Sequence, residues 1–167
     1  MINNKTYQNV IDVIAELGDK HQQISTVTTG DIYDVDLEKN TKYPLMHINP
    51  TSVQANESSL RFNFQIFIMD LVSIKDDWTT STAVNKSNEK EVLSDCLSNS
   101  VDIIGMLRHS KYQSQAMDDI NVPIYFSSVG ETLSPFTERF DNDVTGWVFS
   151  ISVDAENDFQ TCTIPVD

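Results

Sequence analysis

The strongest structural signal in the chain is Leu60-Arg61-Phe62-Asn63-Phe64-Gln65-Ile66-Phe67-Ile68-Met69-Asp70-Leu71-Val72-Ser73-Ile74. In its first half, apolar residues alternate with Arg61, Asn63 and Gln65, which is the period of two expected of a strand with one buried and one wet face. From Phe67 onward the second face becomes apolar as well. We therefore predict one long strand whose second half is covered on both faces or projects into a partner.

Two helices are predicted on either side of this strand. The first runs from about Lys5 to Leu17, where apolar residues recur at three- and four-residue spacing, and Gly18 is its expected stop. The second runs from a capping box at Asn88-Glu89-Lys90-Glu91 to about Arg108. Its predicted inward face consists of Val92, Leu93, Cys96, Leu97, Val101, Ile104 and Leu107. Both helices thus offer one apolar side for packing.

The remaining elements are predicted to be strands, because β-branched and aromatic residues dominate them and often alternate with polar ones. They are Ile24–Asp36 with a bend or bulge at Gly30, Tyr43–Ile48 ended by Pro50, Val122–Val129, Thr132–Arg139, Thr145–Asp154 and a short strand at Thr161–Ile164. The order of helix, strands, helix and strands predicts an α+β fold. In it, two main α-helices pack on a mostly antiparallel β-sheet.

Length and composition limit the class of protein. With 167 residues and 40 % apolar content, the chain is predicted to form a single domain over residues 1–167. Its net charge of −14 repels phosphate backbones, which disfavours sequence-specific nucleic-acid binding. Asp12 and Glu16 interrupt the N-terminal apolar residues, and no run approaches the roughly 18 apolar residues of a membrane span. We expect a soluble protein, made in the cytoplasm and without a membrane partner.

The sequence contains no motif that carries a known chemistry. His21, His47 and His109 stand far apart without i, i+4 partners, so surface or strand positions are expected for them and not metal ligation. Cys96 and Cys162 do not make a disulfide framework, and Cys96 is expected on the apolar side of the second helix. No phosphate loop or nucleophile elbow occurs, and nothing selects a catalytic pair among the 25 acidic residues. We expect a protein that is not an enzyme and needs no cofactor.

Two acidic segments deserve separate interpretation. Asp141-Asn142-Asp143-Val144-Thr145-Gly146 begins like a calcium loop, but Ser152 stands where a bidentate Glu is required, so we predict a hairpin turn, with a weak ion site as the alternative. The most acidic segment contains Asp31, Asp34, Asp36 and Glu38. We predict that it is a solvated edge that prevents unwanted strand pairing, with divalent-ion binding as the alternative.

As a pattern of elements, the chain resembles the tail-terminator and neck ring proteins of tailed bacteriophages, which complete the tail and join it to the head, and most closely those of crAss-like phages. The resemblance covers nearly the whole length. It comprises the helix around NVIDVIAEL, the strands ending in YPLMHINP, the LRFNFQIFIMDLV strand, the helix from Asn88 and the closing DNDVTGWVFSISVD.

This resemblance implies a small α+β protomer of a homo-oligomeric ring, a hexamer or a dodecamer, in the neck or tail of a virion. Such a ring links the portal side of the capsid to the tail, contacts other neck and tail proteins, and leaves a channel through which DNA passes without sequence-specific binding. Closing a ring requires heterologous interfaces, in which one patch on each protomer meets a different patch on its neighbour.

Residues for these roles come from two parts of the chain. The interface candidates belong to the apolar second half of the long strand and to the polar loop Asp76–Ser87 behind it; they are Phe67, Met69, Leu71, Ile74 and Trp78. If acidic residues line the channel, DNA would slide past them without sticking. The candidates for that lining, or for an acidic outer surface, are Asp31, Asp34, Asp36 and Glu38.

A β-rich ligand-binding or adaptor module without catalytic activity is the alternative function. Tyr125 and Trp147 are aromatic residues of the kind that stack on a sugar or a peptide. Trp147 lies in a strongly alternating strand, however, and is expected in the core. Trp78 is the better candidate for an exposed interface anchor.

Overall fold

The computed structural model of the protein describes residues 6–32, 42–72, 88–109, 124–136 and 144–156. The helices are α1 (Thr6–Asp19) and α2 (Glu89–Arg108). The strands are β1 (Thr26–Thr29), β2 (Leu45–Ala55), β3 (Ser59–Leu71), β4 (Ile124–Val129), β5 (Ser134–Phe136) and β6 (Val144–Glu156). The predicted α+β fold is confirmed. The expected strand at Thr161–Ile164 lies outside the described residues.

All six strands form one sheet in the order β1-β2-β3-β6-β4, with β5 paired to β6 beside the other half of that strand. The pairing is antiparallel throughout except between β1 and β2, which run parallel. β3 is central, since it pairs with β6 from Ser59↔Glu156 to Leu71↔Val144 and with β2 on its other side. The long strand predicted from alternation is therefore the middle of the sheet.

Both helices contribute to the main core together with one face of the sheet. β3 contributes Phe62, Phe64, Ile66 and Ile68, and β6 contributes Phe149, Ile151, Val153 and Ala155. The helices contribute Val10, Val13, Ile14 and Leu17 from α1 and Val92, Cys96, Ile103, Ile104 and Leu107 from α2. The alternation of β3 and the 3.6-residue period of the helices are satisfied at the same time.

The opposite face of the sheet has two different ends. At one end, which we call the capped end, a second apolar cluster is buried; it consists of Ile32, Leu45, Phe67, Met69, Phe136 and Val144. The rings of Phe67 and Phe136 meet edge to face, with centroids 5.4 Å apart. The other end, which we call the open face, carries polar side chains, and neither of the two described helices lies over it.

The strand predicted at Ile24–Asp36 is confined to Thr26–Thr29 within the described residues, and two further predicted boundaries are wrong for a local structural reason. Pro50 does not end β2, which continues to Ala55. The register shifts between Pro50 and Ser52, and a proline is tolerated at such an irregularity on an edge strand. Gly18 does not stop α1, which ends at Asp19. A Cβ at Gly18 would lie 2.6 Å from Met46 Sδ, so this glycine allows the helix to lie close to β2.

The predicted inward face of α2 is partly wrong. Leu97 and Val101 are exposed, by 36 % and 53 %, whereas Asn99, Ser100 and Ile103 are buried. The helix begins one residue after Asn88 as expected, but no side-chain capping hydrogen bond forms there. The buried face of α2 therefore includes polar residues and differs from the apolar face that was predicted. Ser100 can be buried because its hydroxyl donates to the Cys96 carbonyl at 2.7 Å.

Candidate interaction surface

The open face is built from three rows of polar side chains that cross the sheet. Its members are Asn49, Ser52 and Gln54 on β2, Arg61, Asn63 and Gln65 on β3, Ser150, Ser152 and Asp154 on β6, and Tyr125 and Ser128 on β4. Within each row the residues are direct cross-strand partners, so their side chains are neighbours on one side of the sheet. The open face is therefore a hydrophilic surface that extends across four strands.

Side chains within these rows bond to one another. In the middle row, Asn63 Nδ2 donates to Ser52 Oγ at 3.0 Å, and the Ser152 hydroxyl donates to Asn63 Oδ1 at 2.7 Å. In the next row, Arg61 Nε and Nη2 donate to the two carboxylate oxygens of Asp154 at 2.7 and 3.0 Å. Much of the polar capacity of the face is thus used inside the sheet.

The Arg61–Asp154 pair also determines the charge of the open face. The hydrogen bond from Arg61 is the largest influence on the carboxyl group and lowers the pKa of Asp154 below its ordinary value. The same hydrogen bond raises the pKa of Arg61. Both groups are ionised at neutral pH and cancel each other. Glu156, at the rim of the face beside Tyr125, carries the remaining negative charge.

Tyr125 is the aromatic residue that the open face presents to solvent. Its side chain is 57 % exposed, and its hydroxyl lies 3.5 Å from Glu156 Oε1. Trp147 is different, because it is partly buried against the main core and its Nε1 donates to the Leu93 carbonyl at 2.8 Å. Trp147 packs against the main core, as expected, although it is only partly buried, and of these two residues Tyr125 is the one available for stacking.

Two of the five interface candidates are buried inside this chain. Phe67 is 8 % exposed and Met69 is fully buried, because Ile32, Phe136 and Val144 cover them at the capped end. The idea that β3 needs a partner to cover these two residues is therefore wrong. Leu71, at the end of β3, is 43 % exposed and stays a candidate. Ile74 and Trp78, with the loop Asp76–Ser87, lie outside the described residues.

The acidic candidates are only partly placed. Asp31 is exposed and follows Gly30, whose φ of 119° gives the predicted bend directly after β1. The next residue, Ile32, belongs to the capped end. Asp34, Asp36 and Glu38 lie outside the described residues. Asp31 therefore lies beside the capped end and away from the open face.

The histidines occupy structural positions. His47 is buried, its Nε2–H donates to the Gly30 carbonyl at 2.9 Å, and Nδ1 in the neutral ring accepts from the Thr28 hydroxyl at 2.7 Å. His21 Nε2 lies 3.2 Å from Asp102 Oδ2. Within the described part of the chain, no group of three His, Cys, Asp or Glu side chains is arranged to hold a metal ion.

Two further predicted features have a structural explanation. Gly146, from the calcium-like segment, lies in β6 so close to β3 that a Cβ there would collide with the Ile68 carbonyl, while Asp141–Asp143 lie outside the described residues. Cys96 is buried as expected. Desolvation is the largest of the influences that raise the pKa of its thiol to about 12, so the thiol is protonated at neutral pH.

Sequence reasoning did not identify the open face as a site. The signal was present on β3, where Arg61, Asn63 and Gln65 alternate, and on β6, where Ser150, Ser152 and Asp154 do the same. Only the register shows that these two series lie side by side on the same face.

None of the helices among the described ranges is long and apolar enough to cross a membrane. Neither a protein-family model nor a curated protein sequence matches this chain.

Proposed function

We propose that this chain is a non-catalytic structural subunit of a tailed-bacteriophage virion, forming a ring at the junction of head and tail, as a tail terminator or a head-to-tail connector. In this proposal the open face borders the DNA channel. The observation that carries the proposal is the sheet face of amides and hydroxyls, on which the charges of Arg61 and Asp154 neutralise each other. The sequence resemblance described above is the second support.

A face of this kind suits the passage of DNA. Lys and Arg side chains in a channel hold phosphates with a salt-dependent affinity, which would slow a moving duplex. Among the described residues of the open face the one cation, Arg61, is bonded to Asp154, and the amide and hydroxyl groups of the middle row bond to each other. Such a surface offers phosphates few free donors. In this proposal Asp31, Asp34, Asp36 and Glu38 are not required to line the DNA channel.

The ring would be a homo-oligomer, a hexamer or a dodecamer, in contact with other neck, portal-side and tail proteins. Exposed apolar side chains at the two ends of the central strands are the candidates for these contacts. Leu71 lies at the end of β3 and Val53 near the β2–β3 turn. Their burial between subunits would contribute hydrophobic stabilisation.

A pair of matched variants tests the position of the open face. Ser150 on the open face and Ser98 on α2 are both exposed serines, so Ser150→Lys and Ser98→Lys add the same charge at two different places. In a ring, Ser150→Lys puts a belt of cations along the channel. Virions that carry it should release DNA more slowly, in a salt-dependent manner. Virions with Ser98→Lys should release DNA at the wild-type rate.

Two measurements decide the outcome. Electron microscopy of the purified protein, alone and with virion extract, shows whether rings form, and antibody labelling of virions shows whether the protein lies at the neck. DNA release is then timed for both variants. Equal release rates for the two variants would show that the open face does not line the channel, and absence of the protein from virions would overturn the proposal.

A carbohydrate- or peptide-binding module is the second candidate function. Tyr125, exposed by 57 %, stands next to the Arg61–Asp154 pair, and an aromatic ring beside charged hydrogen-bonding groups is a common arrangement for binding sugars and peptides. A protein that stays monomeric and shows chemical-shift changes around Tyr125 with oligosaccharides would favour this function. Loss of these changes in Tyr125→Ala would confirm the site.

A further inference from the structure

The second half of β2 has no strand on its outer side among the described residues. β1 pairs with β2 only from Leu45 to Ile48, and the Gly30 N–H, just after β1, donates to the Ile48 carbonyl at 3.1 Å. The next outward position is Pro50, which has no N–H with which to continue this pairing. We call the segment Thr51–Asn56 the β2 edge. Each of its residues is exposed.

The backbone of the β2 edge presents hydrogen-bonding groups to solvent. Asn56 N–H donates to the Ser59 carbonyl at 2.8 Å, so the backbone groups of Asn56 face β3. Because this direction alternates along a strand, the N–H and C=O groups of Val53 and Ala55 point outward. Among the described residues, these outward groups have no hydrogen-bond partner. Two successive outward positions are therefore available to another strand.

The helix side of the β2 edge is open as well. Val53 is 53 % exposed, and Tyr7 of α1 is 44 % exposed. Between them lies an open cavity of about 240 Å³, lined by Tyr7, Thr51, Val53 and Phe62 among others. α1 therefore leaves room for the side chains of a strand placed beside β2.

The charge pattern favours a second copy of this chain as the partner. Two copies with a net charge of −14 each repel wherever their acidic residues meet. The β2 edge contains no charged residue, so two copies can approach there without bringing like charges together. Soluble proteins usually protect an open edge with a charged side chain such as Lys, and the β2 edge lacks this protection.

The β2 edge is complementary to itself in one antiparallel register. When Val53 of each copy lies opposite Ala55 of the other, both outward positions of both copies form backbone hydrogen bonds. Val53 and Ala55 pair with Phe62 and Leu60 of β3, so their side chains lie on the apolar helix side and meet each other there. Gln54 lies opposite Gln54 of the second copy on the polar side.

We propose that the β2 edges of two copies of this chain pair antiparallel about a two-fold axis at Gln54, so that one sheet continues through both copies. The interface is isologous, because the same segment is used on each side. It is complete in a pair and cannot close a ring, so ring neighbours would meet through other contacts, and this pairing would join two subunits of different rings. The inference goes beyond the proposed function and does not depend on it.

A matched pair of substitutions tests the contact. Val53 and Val101 are both 53 % exposed, one at the β2 edge and one on α2. Val53→Lys puts a charge into the paired segment of each copy and should raise the dissociation constant of the dimer by about tenfold or more. Val101→Lys, with the same change in composition, should leave it unchanged. Sedimentation velocity over a concentration series measures both constants, and circular dichroism verifies that each variant is folded.

A cross-linking experiment tests the register and the two-fold axis. Directly opposed residues that do not exchange hydrogen bonds have Cα atoms about 4.5 Å apart, so Gln54→Cys should form a disulfide with Gln54→Cys of a second copy. Ser52 lies on the same strand two residues earlier, and its Cα atoms in the two copies would be about 13 Å apart. Ser52→Cys is therefore the control that should not cross-link. Both variants are made in a Cys162→Ser chain, whereas the native Cys96 is buried.

The cross-linking result decides the pairing even if Val53→Lys fails to fold. On oxidation, Gln54→Cys should form covalent dimers at least about tenfold faster than Ser52→Cys, as measured on non-reducing gels. Equal rates, or a faster rate for Ser52→Cys, would overturn the proposed pairing.

The outcomes also separate this inference from the proposed function. A wild-type chain that stays monomeric at high concentration, with no cross-linking of Gln54→Cys, overturns the pairing. If Gln54→Cys cross-links but labelling shows no protein at the virion neck, the pairing stands and the phage function is wrong. If wild-type rings form and Gln54→Cys does not cross-link, the pairing is wrong and the ring rests on other contacts.

Discussion

The capped end and the open face lie on the same side of the sheet, and they differ in whether the side chains of β3 are buried or exposed to solvent. At the capped end, Phe67 and Met69 of β3 pack against Phe136 and Val144, and these side chains are buried from solvent. At the open end, the same side of β3 carries Arg61, Asn63 and Gln65, which bond to neighbouring strands and stay in contact with solvent. The capped end contributes to the stability of the fold, whereas the open face is available for contact with a partner. Substitutions at the two ends test this division.

The largest effect is expected from a charge at the capped end. Phe67→Asp would bury a carboxylate among Ile32, Met69 and Phe136 without a partner, and should cost about 4 kcal/mol or more, enough to unfold a marginal domain. Gln65→Asp, two residues earlier on the same face, should change the free energy of unfolding by only about 0.5 kcal/mol. Urea denaturation measures both. Similar midpoints for the two variants would show that the capped end is not a core.

A smaller effect on stability, but a large one on assembly, is expected at Leu71. This side chain is 43 % exposed at the end of β3, so Leu71→Asp should fold with nearly wild-type stability and form fewer rings if Leu71 is an interface residue. Leu97→Asp, at a leucine exposed by 36 % on α2, is the control of equal chemistry. Ring counts by negative-stain microscopy decide. A folded Leu71→Asp variant with normal rings removes Leu71 from the interface.

The smallest effects are expected from two aspartates whose pKa values shift in opposite directions. Burial is the main cause that raises the pKa of Asp70, which lies on the helix side of β3 near Asp95 of α2, whereas the Arg61 hydrogen bond lowers that of Asp154 on the open face. Ionised Asp70 therefore opposes folding at neutral pH, and Asp70→Asn should raise the urea midpoint. Leu71 N–H, which donates to Asp70 Oδ1 at 2.7 Å, can still bond to the amide oxygen.

Asp154→Asn should have the opposite sign. A lowered pKa means that Asp154 stabilises the fold above its unfolded pKa of about 3.9, and that this contribution is lost as the pH falls through the folded value. Asp154→Asn should thus lower the urea midpoint at pH 7, and the difference from wild type should shrink as the pH falls below about 3.9. The advantage of Asp70→Asn should also disappear below about pH 4, when Asp70 is protonated in both states. Shifts of the urea midpoint with the same sign at pH 7 would contradict the opposite environments of the two carboxyl groups.

Much of the fold follows from local patterns in the sequence. The alternation in Leu60–Ile68 and in Trp147–Val153 predicts both central strands, and the apolar spacing around Val10 and Ile14 predicts α1. These patterns work because each element buries one face against the same core. They also predict that the second half of β3 is covered on both faces or projects into a partner, and at Phe67 and Met69 the first alternative holds.

What covers a face is not encoded locally, and this is where the predictions for the site were wrong. The doubly apolar run Phe67–Leu71 has the same pattern whether its cover comes from this chain or from a partner. Ile32 and Phe136, which supply the cover, lie more than thirty residues away on either side of Phe67. The exposed pair Leu97 and Val101 shows the same limitation, since an apolar residue in a helix does not reveal whether a sheet lies opposite it.

The pairing of β3 with β6 has a consequence for the order of folding. Their partners, from Ser59↔Glu156 to Leu71↔Val144, are about 70 to 100 positions apart in the chain, and such distant contacts form slowly. During synthesis β2 and β3 can pair as a hairpin while β6 has not yet left the ribosome, so the outer edge of β3 stays exposed for seconds. β6 thus joins β3 to β4 and β5, and a subunit truncated before Val144 should aggregate and fail to enter an assembly.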